Sequence, residues 1–380
     1  MTIYFDNAAT THPKPEAVYL AMDRFARNSM ANPGRAGHRM ALAAERTLDQ
    51  TRHLLHLFFA GKSPDRWIFT LNCTDALNIA IKGTVCDGDH IITSSLEHNS
   101  ISRPLRAMEI AGRISVTRLE PDAHGTLRLE ELERAFRPNT RLVALTHASN
   151  VLGTVQPIAE AAWITRSHDA LFLLDAAQTA GVLPISVEAG HIDLLATAGH
   201  KGLMGPAGTG VLYAGPRTRL RPWREGGTGG DSASETQPLE LPFLLEGGTP
   251  NVVGVEGLGA GIRWIQERSI EQIHHGESLL AERLSMALEE IPGVELFGHR
   301  DWSRRVATIP FRLEMLDATE VGGILDQAFD IAVRPGLHCA PFIHRSLGSF
   351  PVGLVRASIG PFNTEAEVDT LAAAMREIAG

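Results

Sequence analysis

The sequence has few cysteines, no run of basic residues and no long apolar segment. Three of the 380 residues are Cys and they lie far apart, which argues against a disulfide framework and favours a reducing compartment. The 35 Lys and Arg residues are scattered and the net charge is −9, so we expect no nucleic-acid partner. No apolar run is long enough to span a membrane, and the first residues lack a signal-peptide core. We therefore expect a cytoplasmic protein without membrane contact.

Common metal and nucleotide motifs are missing as well. The sixteen His residues include no His-Glu-x-x-His, and no Cys-x-x-Cys is present, so we expect no metal site. The segment "AGKS" (60–63) is similar to the end of a phosphate-binding loop, but His56 stands where that loop needs its first Gly. The glycines of 257–261 lack the spacing and the strand–turn–helix context of a dinucleotide site.

The sequence does contain short apolar runs that alternate with longer amphipathic segments. This alternation predicts an α/β fold with a mostly parallel, buried central sheet and flanking helices. Because 380 residues exceed one ordinary core, we expect a large domain at 14–254 and a smaller α+β domain from 1–13 and 255–380. The predicted strands of the central sheet include 66–70, 89–95, 114–120, 140–149 and 170–178.

Two strand ends carry residues that suit a pyridoxal phosphate (PLP) site. Asp175 ends an apolar strand, Gln178 follows it, and Lys201 comes after a later apolar run. Taken singly, a strand-end Asp is more often a helix cap and such a Lys is more often a surface charge. Together they provide a carboxylate for the pyridine nitrogen, a donor for the phenolate oxygen and a lysine for the aldehyde. Open α/β sheets bind ligands at this edge, so we predict the site there.

A second turn is a candidate for the phosphate. The segment 70–81 predicts a strand, a polar turn and a helix, with Thr74 near the helix start, where backbone N–H groups and hydroxyls bind phosphate. By itself this segment is more typical of a simple capped helix. His98 follows another predicted strand and is a candidate to lie over the ring, although a histidine in such a place is more often structural.

Cys339 lies in "RPGLHCAPF" (334–342), a segment rich in turn residues. Such a segment suits a mobile loop and an accessible, reactive thiol. A buried structural thiol is the alternative. It is the better interpretation for the side chain of Cys73 and for Cys86.

These motifs together resemble those of the class V aminotransferases, and within them the group II cysteine desulfurases. The resemblance covers essentially the whole chain, and the thiol after an Arg-x-Gly is its sharpest element, because related aminotransferases and epimerases lack it. It implies fold type I of the PLP-dependent transferases. It also implies conversion of L-cysteine to L-alanine, with the sulfur transferred to a cysteine persulfide on the enzyme. The other motifs are "SNVLGT" (149–154), "DAAQ" (175–178), "GHKGLMGPAGTG" (199–210), "EGGTPN" (246–251) and "VRASIGPFNT" (355–364).

The resemblance also implies a role for each candidate residue. Lys201 would form a Schiff base with PLP, Cys339 would be the nucleophile, and Thr249 would reach the phosphate of a neighbouring subunit, which implies a homodimer. A sulfur-acceptor protein is a further implied partner. The catalytic residues would be Lys201, Cys339 and His98. The cofactor-binding residues would be Lys201, Asp175, Gln178, His98, Cys73, Thr74, His200, Asn150 and Thr249, and the substrate-binding residues Arg356, Asn150, Arg334 and His38.

Two positions depart from the pattern of the group. Ala198 stands where a hydroxyl residue usually precedes Gly-His-Lys, so one phosphate hydrogen bond is missing unless Thr197 or a water replaces it. Leu337 stands in place of the first of two histidines before the thiol.

Three other functions stay open at this point. A selenocysteine lyase would act on L-selenocysteine with the same scaffold. Another carbon–sulfur lyase or an epimerase of the fold would not use the thiol for sulfur transfer. A non-catalytic protein with a decayed site would not need the set of Asp175, Gln178, His200 and Lys201, which is intact here.

Overall fold

The computed structural model describes residues 2–34, 37–229 and 233–380. No helix in these ranges combines the length and apolarity needed to cross a bilayer. The strands are β1 (Ile3–Tyr4), β2 (Trp67–Thr70), β3 (His90–Ser94), β4 (Ser115–Leu119), β5 (Thr140–Thr146), β6 (Leu171–Asp175), β7 (Leu194–Ala198), β8 (Gly210–Ala214), β9 (Val294–Leu296), β10 (Thr308–Leu313), β11 (Ile331–Ala332), β12 (Arg334–Gly336) and β13 (Leu354–Ser358). The α-helices are α1 (Glu16–Asn28), α2 (Arg39–Phe58), α3 (Cys73–Thr84), α4 (Asn99–Ile110), α5 (Leu129–Arg134), α6 (Ile158–Ser167), α7 (Val252–Arg268), α8 (Ile270–Glu289), α9 (Ala318–Phe329), α10 (Pro341–Ser346) and α11 (Glu365–Ala379). Short 3-10 helices span Pro64–Arg66 and Trp302–Arg304.

The large central sheet has the strand order β2-β8-β7-β6-β5-β3-β4 in the described part of the chain. Strand β8 is antiparallel to both of its neighbours, and the other pairings are parallel. Every residue of β3, β6, β7 and β8 is buried, because helices cover both faces of such a sheet. The predicted mostly parallel, buried sheet is confirmed.

The predicted strands overlap observed strands, and two of them end three residues earlier than predicted. Strand β5 stops at Thr146 and β6 at Asp175. The next residues form turns, in which the backbone N–H of Ala177 donates to the Asp175 carboxylate at 2.9 Å. Apolar composition continues through these turns, so composition alone does not reveal where the ladder ends.

A smaller unit contains a four-stranded antiparallel sheet in the order β12-β13-β10-β9. Strand β1 pairs in parallel with β11 and so ties the first residues to this unit. Its core joins residues of α8, α9, α11 and the sheet, among them Phe5, Leu284, Phe311, Val321 and Leu371.

The predicted domain boundary at residue 254 falls inside α7. This helix packs along α1 and α2, and its buried Leu258 and Ile262 belong to the core of the large sheet. Helix α8 contributes Ile273 to that core and Leu284 to the core of the smaller unit. We propose that the change between the two units lies within α8.

Candidate active site

A cavity of about 210 Å³ lies at the carboxyl ends of the central strands. Its walls come from turns that follow β2, β3, β5, β6 and β7, from β12 and β13, and from the N-terminal segment. This is the edge at which open α/β sheets bind ligands. The candidate residues that line it are Cys73, Thr74, His98, Asn150, Asp175, Gln178, His200, Lys201, Arg334 and Arg356.

Lys201 lies in the turn after β7. Burial lowers the pKa of its amine, and Arg356 and Arg334 act in the same direction, whereas Cys73 and Asp175 oppose it. An amine that gives up its proton more readily is a better nucleophile toward a carbonyl group. The environment therefore suits a lysine that forms a Schiff base.

Asp175 is buried at the end of β6. Its Oδ1 accepts from the backbone N–H of Ala177 at 2.9 Å and from the Cys73 thiol at 3.7 Å, while its Oδ2 has no hydrogen-bond partner among the described residues. Burial raises the pKa of Asp175. A buried carboxylate with a free oxygen is stabilised by a cationic N–H donor in the cavity, and a protonated pyridine nitrogen is such a donor.

The start of α3 forms one wall of the cavity. Its N-cap is Asn72, whose Oδ1 accepts from the Asp75 N–H at 2.9 Å. The cap therefore lies two residues before Thr74, the residue that the sequence placed near the helix start. The first N–H groups of a helix have no intrahelical acceptor and favour an anion. The Thr74 hydroxyl lies beside them, 2.7 Å from the hydroxyl of Ser100.

His98 is the N-cap of α4. Its Nδ1 accepts from the Ser100 N–H at 3.1 Å, a task that Ser, Thr, Asp or Asn more often performs. Burial, followed by the charge of Lys201, lowers the pKa of His98 to about 4. His98 is therefore neutral near pH 7.

Neither Ser100 nor Asn72 was among the residues selected from the sequence. Two signals point to them: Asn72 is a favoured capping type directly before a helical pattern, and Ser100 lies two positions after a residue that begins a helix. The charged and aromatic residues at the neighbouring strand ends are stronger sequence signals of a functional site than Asn72 and Ser100.

Arg356 lies on β13 and is almost fully buried, with 1% of its surface exposed. Its Nη1 donates to the Asn150 carbonyl oxygen at 2.9 Å and its Nη2 to the Asp6 carboxylate at 2.8 Å. Its Nε has no partner within the described ranges. Gln178 donates to the Ala8 carbonyl at 3.1 Å, so the N-terminal segment holds two cavity residues.

Cys339 is exposed and lies on the loop between β12 and α10. Its carbonyl accepts from the Asn99 N–H, at the start of α4, at 2.7 Å. Its Sγ lies 3.9 Å from Nη2 of Arg334, and Asn150 donates to the carbonyl of His338 at 2.6 Å. The loop is thus bonded through its backbone to the start of α4 and to Asn150, and the thiol lies next to Arg334, but Cys339 itself does not line the cavity.

The thiol loop has an unusual backbone. His338 and Cys339 have φ of +48° and +59°, a left-handed conformation that costs free energy for residues other than Gly. The buried His338, which was not predicted, donates from Nε2 to the Leu354 carbonyl at 3.1 Å. Burial lowers the pKa of His338 to about 2, so it helps to hold the loop as a neutral residue.

Thr249 and His38 do not line this cavity. Thr249 is exposed and lines a second cavity of about 760 Å³. His38 is an exposed N-cap of α2 whose Nδ1 accepts from Ala41 at 3.2 Å. Residues 35 and 36, which shortly precede His38, lie outside the described residues. The roles of Thr249 and His38 stay predictions that depend on a second copy of the chain.

Ala198 lines the cavity of Lys201 at the end of β7, so this wall of that cavity has no hydroxyl from position 198. Thr197 is buried and its hydroxyl points to the carbonyl of Ala176 at 3.4 Å, so it does not compensate. Ser100, on the neighbouring α4, provides a hydroxyl that lines the same cavity.

Comparison with known proteins identifies the family. Residues 3–371 match the model described as aminotransferase class-V. The chain belongs to this family. The fold and the family predicted from the sequence are thereby confirmed.

Several similar proteins are named cysteine desulfurase. A probable cysteine desulfurase of Methanothermobacter thermautotrophicus is 35% identical over all of this chain and 95% of that protein. A cysteine desulfurase of Escherichia coli O157:H7 is 34% identical over 99% of this chain and 93% of its own length. The solved apo structure of a cysteine desulfurase from Thermococcus onnurineus NA1 has a TM-score of 0.94 at 34% identity, covering 100% of this chain and 94% of that one. The similarity to these proteins supports the prediction that this chain is an enzyme of this kind.

Proposed function

We propose that this chain is a PLP-dependent cysteine desulfurase. It converts L-cysteine to L-alanine and keeps the sulfur as a persulfide on Cys339. The observation that carries the proposal is an exposed thiol on a loop bonded to the start of α4, with its Sγ 3.9 Å from Arg334, a residue that lines the cavity of Lys201.

The residues of the cavity fit PLP. Lys201 would hold the aldehyde carbon, the free oxygen of Asp175 the pyridine nitrogen, and the start of α3 with Thr74 and His200 the phosphate. Cys73 would help through its backbone, and His98 would lie over the ring. When bound, PLP supplies an aldehyde for the substrate amine and a ring that withdraws electrons from the α-carbon.

Arginines at the smaller sheet would orient the substrate. Arg356 is fixed by Asp6 and by the carbonyl of Asn150, so its guanidinium is already oriented to bind a carboxylate. Arg334 lies between this site and the thiol. We propose that both arginines bind the carboxylate of L-cysteine, with the Asn150 side chain next to them.

Cys339 performs the sulfur transfer. Its thiolate attacks the sulfur of bound L-cysteine, so that an S–S bond forms while the carbon–sulfur bond of the substrate breaks. The electron pair of the broken bond stays with the carbon fragment, which is protonated and leaves as alanine. Lys201 and the neutral His98 are the groups in the cavity that accept and return protons.

The test is the mass of the Cys339 peptide after incubation with L-cysteine. We expect one added sulfur on Cys339, and we expect Cys339→Ala to abolish sulfur transfer while the yellow cofactor stays bound. Cys86→Ala is the matched control, because Cys86 is exposed, in contrast to the buried thiol expected from the sequence, but follows the end of α3 opposite to the one that lines the cavity. With a thiol reductant in the assay to supply the two electrons that sulfide formation requires, alanine and sulfide production at the normal rate by Cys339→Ala would instead indicate a lyase without a persulfide.

A homodimer is part of the proposal. The cavity of about 760 Å³ is lined by Thr249, Phe243 and the partly buried pair of Arg52 and Glu246, whose atoms are 2.9 Å apart. We propose that a second copy covers this region and that Thr249 reaches the phosphate site of the other copy. Light scattering that finds only monomers would contradict this. The sulfur acceptor and the cytoplasmic location stay predictions.

A further inference from the structure

A chain of three polar atoms connects two walls of the cavity. The hydroxyl of Ser100 lies 2.7 Å from the hydroxyl of Thr74 and 2.8 Å from Nδ1 of His98. The backbone N–H of Ser100 donates to the same Nδ1 at 3.1 Å. Ser100 is itself buried, so little water can reach these atoms and replace the contacts.

The backbone contact determines where the His98 proton lies. Nδ1 accepts a hydrogen bond from an N–H group, so Nδ1 carries no proton. A neutral imidazole then carries its proton on Nε2. If Nδ1 were protonated, two N–H groups would face each other and the cap of α4 would be lost.

The hydroxyl contact follows from this. Because Nδ1 has no proton, the hydrogen between it and Ser100 belongs to the serine hydroxyl. That hydroxyl has only one proton, so the hydrogen shared with Thr74 comes from the threonine. The donors therefore run from Thr74 to Ser100 to His98.

We propose that Ser100 is a positioning residue, whose hydroxyl joins the Thr74 side of the cavity to His98 and holds His98 as the neutral imidazole with its proton on Nε2. The effect of Ser100 on catalysis rests on the proposed function, which assigns Thr74 and His98 to the cofactor. His98 would then exchange protons through Nε2 only. Thr74 would then contact the phosphate through its backbone N–H at the start of α3, because its hydroxyl donates to Ser100.

Several charged groups act on His98, and the test must keep them constant. They are Lys201 after β7, Arg334 on β12, Arg356 on β13 and Arg103 on α4. Replacing Ser100 by Ala removes only a hydroxyl and leaves these charges in place.

The experiment is nitrogen NMR of histidine-labelled full-length holoenzyme between pH 4 and pH 8, with His98 assigned from a His98→Gln variant. In the normal enzyme we expect a protonated Nε2 and an unprotonated Nδ1 near pH 7. Ser100→Ala should raise the pKa of His98 by about one unit, because one hydrogen bond to the neutral form is lost. Ser100→Thr, which keeps the hydroxyl, should restore the normal value.

Ser102→Ala is the matched control. Ser102 is a buried serine of the same helix whose hydroxyl has no partner in the described part of the chain, so its loss should leave the titration of His98 unchanged. A proton on Nδ1 in the normal enzyme, or equal titrations for Ser100→Ala and Ser102→Ala, would overturn the proposal. This readout needs no turnover, so it is separate from the persulfide test that decides the proposed function.

Discussion

Glu277 on α8 provides the sharpest test of the electrostatics of this molecule. It is 5% exposed, has no hydrogen bond or ion pair within the described residues, and lines a small cavity that Lys201 and Gln178 also line. Burial raises its pKa from 4.5 to about 8, because an unpaired carboxylate is poorly stabilised away from water.

The sign of the effect on stability follows from this direction. Between about pH 4.5 and pH 8 the folded chain keeps the Glu277 proton while the unfolded chain has lost it. This contribution to stability is therefore complete below the lower value and is lost as the pH rises through the upper one. We expect it to fall by about 2–3 kcal/mol between pH 5 and pH 7, and by about 1 kcal/mol more up to pH 9.

Glu277→Gln removes the titrating proton and keeps the shape of the side chain. The free energy of unfolding of each protein is measured by urea denaturation at each pH. The value for the variant minus that for the normal protein should grow by those amounts as the pH rises. Glu282→Gln makes the same change at an exposed position of α8 and is the control. A difference between Glu277→Gln and the normal protein that stays constant from pH 5 to pH 9 would refute the reasoning.

Three further predictions concern the cavity. Asp175→Asn should lower kcat/KM for L-cysteine by about ten- to a hundred-fold, because a charged hydrogen bond is lost; steady-state alanine formation measures it. Arg356→Lys should raise KM by a similar factor, because a lysine replaces a planar fork held by Asp6; an unchanged KM would exclude Arg356 as the carboxylate site. Asn150→Ala frees the carbonyl of His338 and should slow persulfide formation on Cys339 more than it weakens cofactor binding, which rapid-quench mass spectrometry and absorbance titration separate.

The parts of the site that follow strands could be predicted from the sequence. Asp175 and Lys201 come directly after apolar runs, and the ends of parallel strands meet at one edge of a sheet. Thr74 and His98 were weaker candidates singly. The strands that they follow, β2 and β3, are not neighbours in the sheet, but both strands end at that same edge.

Other parts could not be predicted because they depend on tertiary contacts. The burial of Glu277 is one example, since charged residues recur on α8 and this one is hidden by its position between residues of both units. The hydroxyl of Ser100 is another, because its contact with Thr74 joins two helices. Thr249 and His38 lie outside the cavity of one chain, so their roles require a surface that the sequence of a single copy does not describe.

The bond between Arg356 and Asp6 joins residues 350 positions apart. Contacts of such long sequence separation form late, because the loop they close is costly in entropy. During synthesis the N-terminal segment emerges first and must wait for β11 before β1 can pair, and for β13 before Asp6 gains its arginine partner. The pocket is therefore assembled only near the end of translation, and a ribosome-bound chain that stops before Arg356 would present Lys201 in an open cleft without the arginine that we propose binds the substrate carboxylate.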